Sequence, residues 1–277
     1  MNEDKLNQTA STIQSLLFNA ITKPETITDS RGRPYSDGLK AKEGIIKASK
    51  VINPVHELVK ISLLNHLNDK FNNEWISYPE VGATQPEIKL KGDIKTKKQD
   101  LMFSEQSLDL HTLEIENLHI NKLFSVNIRS QLSSVAKNID TLMERTFAEP
   151  IQLRIKYPDL IMGEVYMIPV IELNDQECKN NKVDFKSESV SRENINKFLY
   201  FFNKFTDRSN FKEGMIEYYY KYDATTLLII DLKSKPAKFI YKPKDLKKIG
   251  LDQEAIAKYQ KLSPINFEEK LVSAFNN

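Results

Sequence analysis

The chain has 277 residues, of which 40% are hydrophobic and 28% charged, so it can bury a core and should be globular, with one large domain or two small ones. The charges nearly cancel at a formal net charge of +2, which gives no general sign of a nucleic-acid binder. The single cysteine, Cys178, excludes an intrachain disulfide, and neither a signal peptide nor a membrane-spanning apolar run is visible, so we expect a cytoplasmic protein with no membrane partner.

The first elements in chain order are helical. Residues 9–22 have the spacing of a short amphipathic helix, and the polar residues 25–38 that follow contain turn-forming residues typical of a loop or arm. Residues 53–71 predict a longer helix, because Pro54 lies in its first turn and apolar residues recur at helical spacing. Glu57 is carried by this helix.

Three strands are predicted next, at residues 74–81, 95–103 and 123–131, because apolar residues alternate with polar ones and β-branched or aromatic residues are frequent. A long helical pattern follows at residues 133–157. The strongly apolar residues 160–171 predict a strand that is buried on both faces and therefore central in its sheet.

The remainder alternates again. A helix is predicted at residues 192–205, a second buried strand at 224–232 and a short helix at 253–260. Between the last two, residues 233–248 hold seven lysines and one aspartate. No repeat or linker forces a domain boundary, so we expect one α/β domain.

Polar residues lie together on two of these strands. Alternation along residues 123–131 puts Asn127, Arg129 and Gln131 on one face, away from the apolar residues. Asp100 lies in the neighbouring predicted strand, where aspartate is disfavoured unless its position is special. We therefore expect a carboxylate beside a row of polar groups.

The order helix, three strands, helix, strand, together with Asp100, resembles the PD-(D/E)xK nuclease superfamily, and type II restriction endonucleases in particular. The resemblance covers residues 50–175. In that family an aspartate ends the second strand, and the third carries an acid, one residue and a lysine. This chain departs from the pattern, because its third strand reads Asn127-Ile-Arg129 or Arg129-Ser-Gln131, with neither a carboxylate nor a lysine.

The resemblance implies a mixed central sheet flanked by helices, with residues 1–49 as an N-terminal helix and arm and 176–277 as an extension of the same domain. It also implies a Mg²⁺-dependent, sequence-specific endonuclease that cleaves double-stranded DNA to 5′-phosphate ends. A homodimer would match a two-fold symmetric duplex site. A cognate DNA methyltransferase would belong to the same system.

The departure from the family motif requires other ligands and charges for phosphodiester hydrolysis. Flanking helices offer Glu57 and Glu144 as metal ligands beside Asp100, because Mg²⁺ needs carboxylate oxygens to neutralise developing charge. Arg129 takes the electrostatic role of the lysine but is too basic to act as a general base. Asn127 or Gln131 supplies a neutral oxygen ligand.

Basic side chains that could follow a DNA backbone occur in three places, since counterion release gives affinity without sequence information. They are Lys95, Lys97 and Lys98 before the site, Arg31 and Arg33 in the arm, and Lys235 and Lys238 in the lysine-rich segment. The four histidines, His56, His66, His111 and His119, show no spacing that makes a ligand set.

Two other classes of function remain open. A nuclease-fold protein that binds DNA without cleaving it would explain the missing Glu-x-Lys. An unrelated soluble α/β enzyme acting on a small molecule is the other, although no Gly-rich phosphate loop, nucleophile elbow or triad spacing is visible. Duplex affinity that falls steeply with salt separates the DNA-binding classes from the small-molecule enzyme.

Overall fold

The computed structural model describes residues 1–105, 123–187 and 189–276. Eight strands lie in these ranges: β1 (Ile76–Tyr78), β2 (Ile88–Lys91), β3 (Thr96–Gln99), β4 (Leu101–Ser104), β5 (Leu123–Ser130), β6 (Ile161–Pro169), β7 (Ala224–Asp231) and β8 (Lys238–Ile240). Six of them form an open mixed sheet in the order β1-β4-β5-β6-β7-β8, and β2 and β3 form a separate hairpin.

Within the six-stranded sheet, β1, β4 and β5 pair antiparallel, whereas β5, β6 and β7 pair parallel. Strand β8 returns antiparallel on the far edge. The predicted central position of β6 is confirmed, because all nine of its residues are buried and it has neighbours on both sides. Its continuous apolar run fits a strand that is covered on both faces.

The α-helices of the described residues flank this sheet. They are α1 (Glu3–Thr22), α2 (Gly38–Lys47), α3 (Asn53–Phe71), α4 (Ile139–Arg154), α5 (Asp175–Lys179), α6 (Ser189–Phe205), α7 (Ile216–Tyr220), α8 (Pro243–Lys248), α9 (Gln253–Gln260) and α10 (Phe267–Ser273). None of the described helices is long and apolar enough to cross a membrane.

Two hydrophobic cores lie on opposite faces of the sheet. Phe124, Val126 and Ile128 of β5 pack into the core formed with α1, α3 and α10. The other core is formed with α4, α6, α8 and α9. The side chains between these apolar residues, Ser125, Asn127 and Arg129, therefore lie on the α4 face, as the alternation of β5 predicted.

Local sequence explains the bounds of several helices. The predicted helix 53–71 is confirmed as α3, which has Pro54 in its first turn and is followed by its C-cap Asn72 in a left-handed conformation. The predicted helix 253–260 is confirmed as α9, whose N-cap Asp252 accepts a hydrogen bond from the Ala255 amide. Helix α1 begins earlier than predicted, because the Asn2 side chain caps it through the Lys5 amide.

The predicted strand 95–103 is wrong as one element. It breaks at Asp100: β3 pairs with β2 in the hairpin, and β4 pairs with β1 and β5 in the large sheet. Residues 96–99 are polar and pair with β2, whose Ile88 and Leu90 are buried in the core on the α4 face. Helix α2 was not predicted, and α4 begins at Ile139, later than expected.

Candidate functional site

Asp100 lies at the junction between β3 and β4, beside the carboxyl end of β5. Its Oδ2 accepts a hydrogen bond from the Ile128 amide at 2.7 Å, which fixes the carboxylate next to Asn127 and Arg129. Burial raises the pKa of Asp100, while the Ile128 amide and the charges of His56 and Arg129 oppose this rise. Asp100 therefore lies between two strands rather than inside one, which agrees with the low frequency of aspartate within strands.

Arg129 is held between two buried carboxylates. Its Nη2 donates to Glu149 Oε2 at 2.5 Å and its Nη1 donates to Glu164 Oε1 at 2.9 Å. Those two glutamate side chains are 3% and 0% exposed. The neighbouring carboxylates raise the pKa of Arg129, against the effect of burial, so the guanidinium stays charged. Burial raises the pKa of Glu164 to about 8.

A chain of amide and hydroxyl groups continues the site along β5. The Asn127 Nδ2 donates to Glu149 Oε1 at 3.3 Å, and the Gln99 Nε2 approaches the same oxygen at 3.4 Å. The Ser125 hydroxyl donates to Gln99 Oε1. Glu149 therefore accepts from Asn127, Gln99 and Arg129, and it organises the polar groups around one carboxylate.

An open cleft of about 680 Å³ contains the site. Asp100, Asn127, Arg129, Gln131 and Glu149 line it, together with the basic side chains Lys95, Lys97, Lys98 and Arg145. Burial lowers the pKa of Lys97, whose Nζ lies 3.9 Å from Glu149 Oε2. The cleft thus combines three carboxylates with five cations, and this excess of positive charge suits a polyanionic substrate.

A smaller chamber of about 270 Å³ lies on the other side of Asp100. His56 of α3 and Glu87 line it, and Glu87 also lines the larger cleft, where its carboxylate binds Lys98 at 2.7 Å. Burial lowers the pKa of His56, and the neighbouring charge of Asp100 opposes this effect. His56 therefore lies beside Asp100 in this chamber, which the spacing of the histidines in the sequence did not predict.

The predicted acids Glu57 and Glu144 are not brought to Asp100. Glu57 binds the buried Lys60 Nζ at 2.5 Å and accepts the Gly82 amide, so it fastens α3 to the loop before β2. Glu144 lies on the exposed face of α4. The carboxylate of α4 that faces the site is Glu149, five residues further along.

The predicted basic residues divide in the same way. Lys95, Lys97 and Lys98 line the cleft. Arg33 binds Asp29 within its own turn, and neither arginine of this arm is among the described residues that line the cleft. Lys238 lies on the edge strand β8, 3.6 Å from Asp245, and Lys235 is exposed in the turn before it. Gln131 lines the cleft, with its amide donating to the Ser133 carbonyl.

Among the described residues, no three His, Cys, Asp or Glu side chains are grouped closely enough to hold a metal ion. Magnesium is often held with fewer protein ligands, by one or two carboxylates together with phosphate oxygens and water. The half-buried Asp100 carboxylate, facing the cleft beside the Asn127 amide, fits that smaller requirement. His111 and His119 lie outside the described residues.

Two site residues missed from sequence had a visible signal. Glu149 shares the buried face of α4 with Leu142 and Leu153, at helical spacing, so a charged residue occurs there in an otherwise buried row. Glu164 is the one charge in the apolar run of β6, and a buried charge requires a partner. That partner is Arg129.

The structure therefore defines an α/β protein with an open mixed sheet and a cleft that combines carboxylates with cations. A scan against protein-family models, a search of curated proteins and a search of solved structures each gave no match.

Proposed function

We propose that this protein is a Mg²⁺-dependent endonuclease that cleaves double-stranded DNA at specific sites, with its active centre at Asp100. The observation that carries the proposal is the position of Asp100 beside the end of β5, in a cleft lined by Lys95, Lys97 and Lys98. A carboxylate surrounded by cations suits a phosphodiester, because the lysines bind phosphate oxygens and the acid can hold a metal ion.

The sheet supports the restriction-endonuclease-like arrangement within this proposal. Strands β1, β4 and β5 form an antiparallel meander, and α4 then leads to β6, which is parallel to β5. The order of α3, β1, β4, β5, α4 and β6 supports the α-β-β-β-α-β core expected from the sequence, with the β2–β3 hairpin inserted before the second strand. Asp100 directly precedes that second strand instead of ending it, which departs from the family pattern, and Asn127 and Arg129 lie at the end of the third strand.

Asp100 and the amide oxygen of Asn127 would hold the metal ion. When bound, Mg²⁺ supplies charge neutralisation at the phosphate and an activated water. Lys95 and Lys98, which are exposed, bind flanking phosphates, and the more buried Lys97 lies closer to the carboxylates. Arg129 contributes a fixed positive charge, because both of its terminal nitrogens are engaged by Glu149 and Glu164.

The proposal carries further expectations about the setting of the enzyme. Cutting both strands of a symmetric duplex site calls for a homodimer with one active centre for each strand. Cytoplasmic location and a cognate DNA methyltransferase follow from the need to protect the host's own sites. These expectations rest on the nuclease assignment and stand with it.

Incubation of the protein with plasmid DNA and MgCl₂ tests the proposal. Discrete bands that disappear when EDTA is added support a sequence-specific, metal-dependent endonuclease. Labelling the ends with and without prior phosphatase treatment then shows whether the 5′ ends carry phosphate. Intact plasmid under these conditions, with binding of the same DNA, contradicts cleavage.

A second function, DNA binding without cleavage, is favoured by one specific observation. Arg129 binds both Glu149 and Glu164, so Asp100 is the one acid of the three that no described basic side chain binds directly. The plasmid experiment separates the two functions, because a silent protein shifts the DNA in a gel but leaves it intact at all Mg²⁺ concentrations.

A further inference from the structure

A second basic pocket lies apart from the Asp100 cleft, at the carboxyl ends of the parallel strands β6 and β7. Its volume is about 320 Å³, and the side chains that line it include Arg192, Asp231, Lys233 and Lys248. We name it the edge pocket. Three of its side chains are cationic and one is acidic. The carboxyl ends of parallel strands are where ligands of open α/β sheets usually bind.

The one acid of the edge pocket is already engaged. The Asp231 carboxylate accepts hydrogen bonds from the Lys233 amide at 3.0 Å, the Ser234 amide at 3.3 Å and the Ser234 hydroxyl at 2.5 Å. These hydrogen bonds stabilise the turn that follows β7. Hydrogen bonds from neutral donors do not cancel the surrounding positive charge, so the pocket as a whole stays cationic.

Two of the cations are presented to solvent in defined positions. The Arg192 guanidinium lies directly against the backbone of Gly250, since a Cβ at that glycine would be 2.2 Å from Arg192 Nη2. Lys248 is 74% exposed and shares Asp245 with Lys238, each at 3.6 Å. Asp245 carries one negative charge and the two lysines carry two positive charges, so the group keeps a net positive charge. The planar guanidinium of Arg192 and the flexible ammonium of Lys248 can together bind a tetrahedral oxyanion such as phosphate.

The edge pocket and the Asp100 cleft open at the same edge of the sheet. Ser130 and Gln131, at the end of β5, line the cleft, and Val170 and Asp231, at the ends of β6 and β7, line the edge pocket. Both lie on the face covered by α4 and α6. With neighbouring strands ~4.8 Å apart, the ends of β5 and β7 are ~10 Å apart, so nearby phosphates of one DNA backbone can reach both sites.

We propose that the edge pocket, through Arg192 and Lys248, binds one backbone phosphate of the duplex whose scissile phosphate lies in the Asp100 cleft. This inference rests on the proposed function and adds a contact to a backbone phosphate near the cut. It gives affinity and register rather than base recognition, because a phosphate carries no sequence information.

The test compares the wild type with the double variant Arg192→Gln/Lys248→Gln in binding a fluorescent duplex, at several salt concentrations and with CaCl₂ to prevent cleavage. Losing one phosphate contact should make the plot of log affinity against log salt shallower by about 1, and should weaken binding roughly 10-fold at about 0.1 M salt. Arg192→Lys should keep most of the affinity, because it keeps the charge.

A matched control removes the same charge elsewhere. Lys40 is exposed and pairs with Asp37, the N-cap of α2, and the half-buried Lys258 pairs with Glu254 on α9. Lys258 lies far from the edge pocket. Its carbonyl accepts a hydrogen bond from Asn203, which is about 16 Å from Arg192 along α6 at a rise of about 1.5 Å per residue. Lys40→Gln/Lys258→Gln should bind with the wild-type slope. Equal losses in the two double variants would overturn the proposal, because net charge would then explain both.

Other outcomes separate this proposal from the proposed function. If the wild type cleaves plasmid and the Arg192→Gln/Lys248→Gln variant binds duplex as tightly, the edge pocket proposal is wrong and the nuclease assignment stands. If the wild type binds no duplex at low salt, both are wrong. Stabilisation of the wild type alone by inorganic phosphate, with no difference in duplex binding, shows a site for free anions and overturns the DNA contact.

Discussion

Replacing Arg129 with alanine should destabilise the fold, in addition to any effect on catalysis. The guanidinium lies 2.5 Å from Glu149 Oε2 and 2.9 Å from Glu164 Oε1, and both carboxylates are buried. Its removal leaves two buried acids without their nearest cation. Breaking a buried ion pair from one side costs about 3–5 kcal/mol, which is a large part of the ~5–15 kcal/mol that stabilises a typical domain.

Urea unfolding followed by circular dichroism measures this loss. The matched control is Arg33→Ala, whose partner Asp29 lies in the same exposed turn and whose own side chain is 66% exposed. An exposed pair contributes at most about 1 kcal/mol, so the control should unfold near the wild-type midpoint. A loss below about 1 kcal/mol for Arg129→Ala would refute the placement of the guanidinium between two buried carboxylates.

Two further variants identify the cause of the loss. Arg129→Lys keeps a positive charge but cannot reach both carboxylates with a planar fork, so we expect a loss smaller than that of Arg129→Ala. Adding Glu149→Gln to Arg129→Ala removes the carboxylate that lay 2.5 Å from the guanidinium and should recover part of the stability. A double variant no more stable than Arg129→Ala would mean that cavity formation, and not charge, dominates.

Three more predictions follow from buried charges. Burial raises the pKa of Glu164 from 4.5 to about 8, so its contribution to stability is present at acid pH and is lost as the pH rises through this window. Glu164→Gln should therefore flatten the dependence of the unfolding free energy on pH in this window, as measured by urea unfolding. Glu149→Gln should lower plasmid cleavage at least 10-fold, whereas Glu144→Gln and Glu57→Gln should retain it. Lys60→Met should lower unfolding free energy by about 2–4 kcal/mol, since the buried Lys60 Nζ also donates to two loop carbonyls.

Periodicity predicted most of the large sheet and its flanking helices. The two-residue alternation of β5 placed Asn127 and Arg129 on one face, and the continuous apolar runs placed β6 and β7 at the centre of the sheet. Such patterns can be predicted from sequence because the spacing of apolar residues indicates which side of a strand or helix is buried. The single-domain organisation expected from the sequence stays a prediction.

The partners within the site depend on tertiary contacts, and sequence did not supply them. Glu149 and Glu144 are both acids of one helix, and only the packing of α4 on the sheet decides which faces Arg129. The break at Asp100 also depends on a non-local bond, from the Ile128 amide in another strand. His56 reaches the site because α3 packs beside β4, a pairing that no spacing in the chain encodes.

The most direct test of the account compares plasmid cleavage by the wild type, Asp100→Asn and Asp93→Asn in MgCl₂, with duplex binding in CaCl₂ measured alongside. Asp93 is an exposed acid in the β2–β3 turn of the neighbouring hairpin. We expect Asp100→Asn to lose cleavage while binding duplex within a few fold of the wild type, because lysine contacts to phosphate persist. Asp93→Asn should cleave normally. Full cleavage by Asp100→Asn would contradict the placement of the active centre at Asp100.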